Sequence, residues 1–480
     1  MVKIMLNSQK KHTVIAFDFG ASSGRAIKAE YDGKNLCYTE VHRFVNSAIE
    51  KDGHLCWDFP YIMGEIRKVL EKYPDIDSLA FDTWGVDYGL LDENDELISL
   101  PISYRDGRGE KVYDDILNKM SPDRLYGLTG TQIMPINTLF QLAADEEKAA
   151  KTLLFMPDLF AFMLCGAKTA EQTIASTSQM LDLKNVKWQK ETVSLTEKDV
   201  SLLPEIVESA SIAGEYNGIK VIKAAGHDTQ CAVAAAPFDA DKTSTFLSCG
   251  TWSLIGCELD EPVLTEKSRA DELSNELGAN GKINYLKNIS GLWLIQETRR
   301  AFGREGKDYS FNDMEQLARA SDAFKCFIDP DAPEFAVPGN LPEKIKEYCK
   351  KTHQTVPETD GEVIRCIYES LAMKYRFALK QIAENTGKCF DVLHLLGGGT
   401  KDAFLCQMTA DSIGFPVVAG PTEATALGNI VLQLIALGDL KNADEGRALI
   451  KKQEKVLTYA PENMQLWAEA YEKFCMAVIE

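Results

Sequence analysis

Uninterrupted apolar runs, each ending at a glycine- or serine-bearing turn, set the pattern of this chain. Residues 14–17 are apolar, Asp18 follows, and Phe19-Gly20-Ala21-Ser22-Ser23-Gly24 makes a turn before a second extended run from Arg25. That sequence predicts strand, turn, strand. Ile62, Ile66, Val69 and Leu70 share one face of a helix over 62–70. Residues 78–81 predict a buried strand running into Asp82-Thr83-Trp84-Gly85-Val86-Asp87, and 92–95 predict a tight turn. Residues 99–190 mix helix and loop. A buried strand over 219–225 then ends at Gly226, and a helix of small residues begins near Thr229.

The composition turns polar at 239–243, which places a domain boundary close to Phe238. A second strand-turn-strand follows: 245–247, then Ser248-Cys249-Gly250-Thr251-Trp252, then 253–259. It echoes the unit around Asp18 and suggests two related halves. The clearest helix covers 362–386, where Ile364, Ile367, Leu371, Tyr375, Ala378 and Ile382 step by three and four. Asp360 is its candidate N-cap, and Gly387 follows its end. A buried strand over 392–396 leads into Gly397-Gly398-Gly399 and a helix over 402–413, stopped by Gly414 and Pro416. Pro421-Thr422-Glu423-Ala424 opens a further apolar helix through Leu437, and the tail after Asn442 reads as charged and helical.

Composition narrows the function classes. With 480 residues, 45% hydrophobic and 26% charged, the chain is long enough for two globular domains. Lys plus Arg is 52 and Asp plus Glu is 72, a net charge of −20, which argues against nonspecific binding to nucleic acid or anionic membrane. No secretory leader and no apolar run of transmembrane length is read, so a cytoplasmic location is expected. The twelve cysteines and six histidines are scattered without a CxxC pair, which points to free thiols rather than a disulfide framework or a zinc site.

Four stretches carry candidate chemistry. In DFGASSGR, 18–25, small residues let backbone N–H groups meet an anion, Ser22 and Ser23 add hydroxyls, and Arg25 adds a fork of charged donors. Asp18 could approach a metal held by the same phosphates. SCGTWSLIG, 248–256, repeats that logic with Thr251. Either turn alone is as well read as a plain hairpin. Three consecutive glycines at a strand end suggest close backbone approach to a ligand such as adenosine. Trp84 with Gly85, and Asn288 with Gln296 around Trp293, offer aromatic and amide surfaces that suit a sugar, although the tryptophans read equally well as core. In GHDTQCAVAAAP, Asp228 stands where a strand end meets a helix start. There it is either an N-cap or a carboxylate placed to take a proton from a hydroxyl.

Taken together, DFGASSGR, DTWGVDYGLLD, TQIMPINTLFQL, MPDLFAFMLCG, GHDTQCAVAAAP, SCGTWSLIG, NISGLWLIQE, LLGGGTKDAFLCQMTADSIGFPV and GPTEATALGN resemble the FGGY family of carbohydrate kinases over roughly 14–440. The family belongs to the sugar-kinase, heat-shock-chaperone and actin superfamily. The resemblance implies an α/β chain of two actin-like, ribonuclease H-like domains with an interdomain cleft. Residues 1–238 would hold the sugar site, the first phosphate hairpin and the catalytic aspartate. Residues 239–480 would hold the second hairpin, the adenosine site and the C-terminal helices. It further implies transfer of the ATP γ-phosphoryl group to the 1-hydroxyl of L-rhamnulose with Mg²⁺. Asp228 would be the base, and His227, Thr229, Gly85 and Asn288 would contact the sugar. Ala21, Ser22, Ser23, Gly24, Arg25, Thr251, Gln296 and Gly398 would bind ATP, and Asp18 would lie near the metal. Thr400-Lys401-Asp402 departs from the Cys or Ser and Asn that relatives often carry there. The implied partners are ATP and a small ketose, not nucleic acid or membrane, with room left for a homodimer. The alternatives are another kinase of the family, acting on L-fuculose, D-xylulose or glycerol, and a non-kinase ATPase of the same fold.

Overall fold

A computed structural model describes residues 12–479 of the chain; part of the N-terminal stretch read for a leader lies outside the described residues. The elements that position the site are, in the first stretch, β1 (His12–Phe19), β2 (Ser23–Tyr31), β3 (Leu36–Val45), α1 (Phe59–Lys72), β4 (Ser78–Thr83), β5 (Ser211–Tyr216), β6 (Ile219–Lys223) and α2 (Asp228–Ala234). After them come β7 (Ser244–Cys249), β8 (Trp252–Leu259), β9 (Ile283–Ser290), α3 (Trp293–Arg304), α4 (Asp360–Thr386), β10 (Val392–Leu396), α5 (Ala403–Ile413), β11 (Val417–Ala419), α6 (Ala424–Ala436) and β12 (Leu457–Tyr459). They form two compact units. One takes the described part of Met1–Pro237 with Glu258–Tyr285 and Ala424–Glu454; the other takes Phe238–Cys257, Leu286–Glu423 and the described part of Lys455–Glu480.

The first unit is built on a sheet of order β5-β6-β4-β1-β2-β3. β1 and β2 are antiparallel through the turn at Gly20–Ser22, while β4 and β6 run parallel to β1. β1 is buried from Thr13 to Phe19 and β4 along its whole length. A strand buried on both faces needs a covering layer on each side, and α6, from far along the chain, supplies one of them against β1 and β4. In α1, Ile62, Ile66, Val69 and Leu70 are all buried, as their spacing predicts, and Asp58 caps the first turn. At the end of β6, Lys223 Nζ lies 2.6 Å from Asp158 Oδ1, with side chains 3% and 0% exposed.

The sheet of the second unit repeats this order. β9-β8-β7-β10-β11 follows the sequence of β3-β2-β1-β4-β6, and β12 lies outside β11 as β5 lies outside β6. The hand of pairing repeats too: β7 is antiparallel to β8, parallel to β10, and β10 is parallel to β11. The expected actin-like, ribonuclease H-like pair of halves is therefore present as two topologically matched sheets.

α4 begins two residues earlier than read. Thr359, not Asp360, is the N-cap: it is extended, its side chain accepts from Glu362 N, and the Glu362 side chain accepts in return. Asp360 is the first helical residue, and its carboxylate accepts from Lys307 Nζ and Tyr309 Oη. All twelve cysteines are free thiols. Their scatter in sequence concealed one convergence: the sulfurs of Cys326, Cys349 and Cys366 lie within 4.8 Å of one another, all buried. Among the described residues no helix is long and apolar enough to cross a membrane.

Candidate functional site

In the first unit, three carboxylates gather at the ends of the central strands. Asp18 stands near the end of β1 and Asp82 near the end of β4, paired in parallel register. Register partners on parallel strands project to the same face. Thr83 N donates to Gly226 O at 2.8 Å, which ties β4 to the segment that carries Asp228. Arg25, opposite Asp18 across the hairpin, forms an ion pair with it.

Asp228 is the first residue of α2, and His227 occupies the N-cap position in an extended conformation. The capping reading of Asp228 reduces to one contact, from Thr229 N to its own Oδ1 at 2.6 Å. The Asp228 side chain is 34% exposed. The surrounding protein raises its pKa, the neighbouring His227 opposes that, and the Asp18 charge adds to it. Burial alone would make His227 a weaker base. The Glu276 carboxylate, 2.9 Å from its Nδ1, outweighs that effect and lifts the pKa to about 9. Glu276 also accepts from Gln230 at 2.6 Å. Asp82 is wholly buried: burial first and the Asp18 charge second push its pKa well above the carboxylate range, against the pull of an amide bond from Asn429.

Around Gly85 the unit builds a rigid polar wall. Asp87 accepts from the indoles of Trp57 and Trp84 at 2.7 and 2.9 Å, from Tyr104 N at 3.1 Å and from Gln141 at 2.9 Å. Trp84 is 6% exposed; of the two readings offered for it, core is the one observed. Val86 has φ +66, which a β-branched residue adopts only under constraint. Thr177 holds its N–H at 3.1 Å and Thr138 its carbonyl at 2.7 Å.

The first hairpin turn is braced from outside the motif. Asn46 donates through its side chain to Gly20 O at 2.8 Å and through its backbone to Ser22 O at 3.2 Å. A Cβ on Gly24 would collide with the Phe44 ring, so glycine there is a packing requirement. Ser22 is exposed, and Ala21, Ser23 and Arg25 are partly so.

In the second unit the corresponding turn docks on the start of α3. Thr251 O accepts from Gly291 N and Trp293 N at 3.1 and 3.2 Å, and Gly250 O accepts from Leu292 N at 2.9 Å. This sets Gln296, partly exposed, one turn into the helix. Asn288 lies on β9 of the same unit. The three glycines divide by role: Gly397 has φ +82, and a Cβ on Gly399 would collide with Cys249 Sγ. Only Gly398 is exposed with open space where a Cβ would stand. Asp402 is engaged as the N-cap of α5, accepting from Leu405 N at 2.9 Å and Tyr368 Oη at 2.6 Å.

Two family models match this chain: the N-terminal domain of the FGGY family of carbohydrate kinases over 13–245, and its C-terminal domain over 245–437. The chain belongs to the FGGY family of carbohydrate kinases. It is 37% identical to a rhamnulokinase of Bacteroides thetaiotaomicron, covering 97% of this chain and 99% of that protein. It is 38% identical to a rhamnulokinase of Enterococcus faecalis, covering 92% and 93%. In fold it is similar to a ligand-bound xylulose kinase from Lactobacillus acidophilus (TM-score 0.77, 17% identity, 96% and 97% covered). A Plasmodium falciparum glycerol kinase with ADP is comparably similar (TM-score 0.76, 15% identity, 96% and 97% covered).

A kinase of this family works with ATP and a divalent metal. The residues present fit such an ion: carboxylate oxygens suit a hard cation, and Asp82 Oδ1 is buried without a hydrogen-bond partner. Asp82 was not singled out from the sequence, although a carboxylate after the apolar run Leu79-Ala80-Phe81 was a visible signal. Glu276 and Asn46 act from segments with no recognisable pattern of their own, while Asp87 and Asn429 lie inside quoted motifs whose letters do not show which residues they reach.

Proposed function

We propose that this FGGY kinase transfers the γ-phosphoryl group of ATP to the 1-hydroxyl of L-rhamnulose. The observation that carries the chemistry is the Asp228 carboxyl: partly exposed, raised in pKa, beside a cationic imidazole, and on a unit whose strand ends gather two further carboxylates. The named relatives at 37–38% identity support the choice of sugar.

In this reading Asp228 orients the sugar hydroxyl and accepts its proton. A raised pKa improves the match between base and alcohol. His227, held by Glu276, and Thr229 contact the sugar, as do Asn288 and Gly85, the latter beside the Asp87 wall. Ala21, Ser22, Ser23, Gly24 and Arg25 hold phosphate oxygens from one hairpin, and Thr251 from the other. Gln296 and Gly398 receive the nucleoside, Gly398 because only there is backbone approach unobstructed. Mg²⁺, with Asp18 beside it, would neutralise charge on the phosphates. Phosphoryl transfer passes through a loose transition state, so positioning and charge neutralisation dominate the protein's contribution.

The test is ADP release with L-rhamnulose, L-fuculose, D-xylulose and glycerol at matched concentrations. The expected result is a kcat/KM for L-rhamnulose at least about tenfold above the others, a gap of 1.4 kcal/mol. Equal or higher kcat/KM with another acceptor overturns the substrate, and release that ignores every sugar overturns the kinase reading.

A further inference from the structure

We infer that Asp82 is a second carboxylate of the cation site, acting beside Asp18. The inference rests on the proposed placement of the metal near Asp18 and adds a residue to it.

Asp82 and Asp18 are register partners on adjacent parallel strands, so their side chains leave the same face of the sheet at the same height. The two Asp82 oxygens have different surroundings. Oδ2 accepts from Asn429 Nδ2 at 2.7 Å. Oδ1 is buried and has no hydrogen-bond partner. A buried polar atom without a partner is costly, more so when charged, and such atoms are rare in folded chains. A packing role does not account for that cost, because an asparagine could keep the Asn429 bond without burying a charge.

Charge bookkeeping points the same way. Asp18, Asp82 and Asp228 lie close enough for their fields to act on one another. The Arg25 guanidinium pairs with Asp18, and the imidazole of His227 is matched by Glu276. Among the described residues Asp82 pairs with no cationic side chain, and Asp228 has only His227 Nε2 at 3.5 Å, an imidazole it shares with Glu276; a divalent cation would supply the missing counter-charge. Oxygen donors on rigid strand ends suit Mg²⁺ or Mn²⁺, bound directly or through a retained water.

Asn429 belongs to the same device. It stands on α6, where Gln433 donates to Asn429 Oδ1 at 2.8 Å and to Ile15 O at 3.0 Å and accepts from Ser78 Oγ at 2.7 Å. This buried amide ladder fixes α6 to β1 and β4 and holds Asp82 by one oxygen. Asn429 is thus a positioning residue for the carboxylate.

Mn²⁺ is the probe. Its free signal in electron paramagnetic resonance, titrated with the full-length protein and ADP, gives the ion's Kd for wild type, Asp82→Asn and Asp18→Asn. Metal-free ADP affinity is measured alongside as a check on the fold. Asp82→Asn should weaken Mn²⁺ about 10–100-fold while leaving metal-free ADP affinity unchanged. A weakening below about threefold in Asp82→Asn, with Asp18→Asn strongly impaired, overturns the role of Asp82 and spares the placement at Asp18. No weakening in either variant overturns both. A variant that does not fold is replaced by wild-type crystals with Mn²⁺ and ADP. An anomalous peak reached from Asp82 Oδ1 directly or through a single water supports the inference, and a peak served by Asp18 without Asp82 overturns it.

Discussion

The two hairpins of this kinase share a frame and differ in chemistry. In the first, Asp18 faces Arg25 across the turn and has Asp82 on the parallel strand. In the second, Ser248 faces Leu254 and has Leu396 on the parallel strand. One strand-turn-strand unit thus carries carboxylates and a guanidinium, while its counterpart carries apolar residues, small residues and backbone. The fold supplies the positions, and the residues at strand ends decide which half offers charged groups and which offers backbone and small side chains. Function is read from those positions, not from the topology, which the halves have in common.

The sharpest way to break this comparison is Asp228→Asn. Turnover should fall by about 10²–10⁴-fold with ATP and sugar still bound, measured by steady-state ADP release and by calorimetry. Near-normal turnover would remove the acidic half from the chemistry. Next in size, Lys223→Met should cost about 3–5 kcal/mol of stability, because it leaves Asp158 buried without its partner, a loss readable by denaturant melts.

A smaller pair of changes sharpens the other half. Gly399→Ala collides with Cys249 and should destabilise by about 1–3 kcal/mol. Gly398→Ala meets open space and should leave stability within about 0.5 kcal/mol while weakening ADP. A denaturation series with parallel ADP titration separates the two, and reversed effects would shift the nucleoside contact from Gly398.

The smallest effect is a pH trend. His227 has its pKa raised to about 9 in the folded chain from 6.5. Its stabilising contribution is then full below 6.5 and disappears as pH rises through 9. The stability gap between wild type and His227→Gln should narrow over that window in melts at fixed ionic strength. A constant gap would mean that the imidazole is not held as a cation by Glu276.

Much of this was legible in the chain because periodicity and turn chemistry are local. The runs at 14–17, 78–81 and 392–396 appear as strands, that at 219–225 as a shorter strand over Ile219–Lys223, and the face of α1 is buried as its spacing requires. The echo between the hairpins proved to be a full repeat of strand order, though residues alone suggested no more than kinship. What stayed hidden depends on long-range contact. Glu276 reaches His227 from 49 residues away and Asn429 reaches Asp82 from 347; Glu276 lies in no motif, and nothing in GPTEATALGN marks Asn429 as the partner of Asp82. The glycine triplet was legible only in part. It signalled close approach, but in two of its three residues the approach is to the chain's own fold.

The most direct measurement follows the phosphorus atom. ATP and L-rhamnulose are incubated with the full-length protein, and the products are read by phosphorus-31 NMR with proton coupling. The account expects one phosphomonoester per ADP, its signal split by the two protons on carbon 1 of the sugar. Inorganic phosphate accumulating with unmodified L-rhamnulose would contradict it.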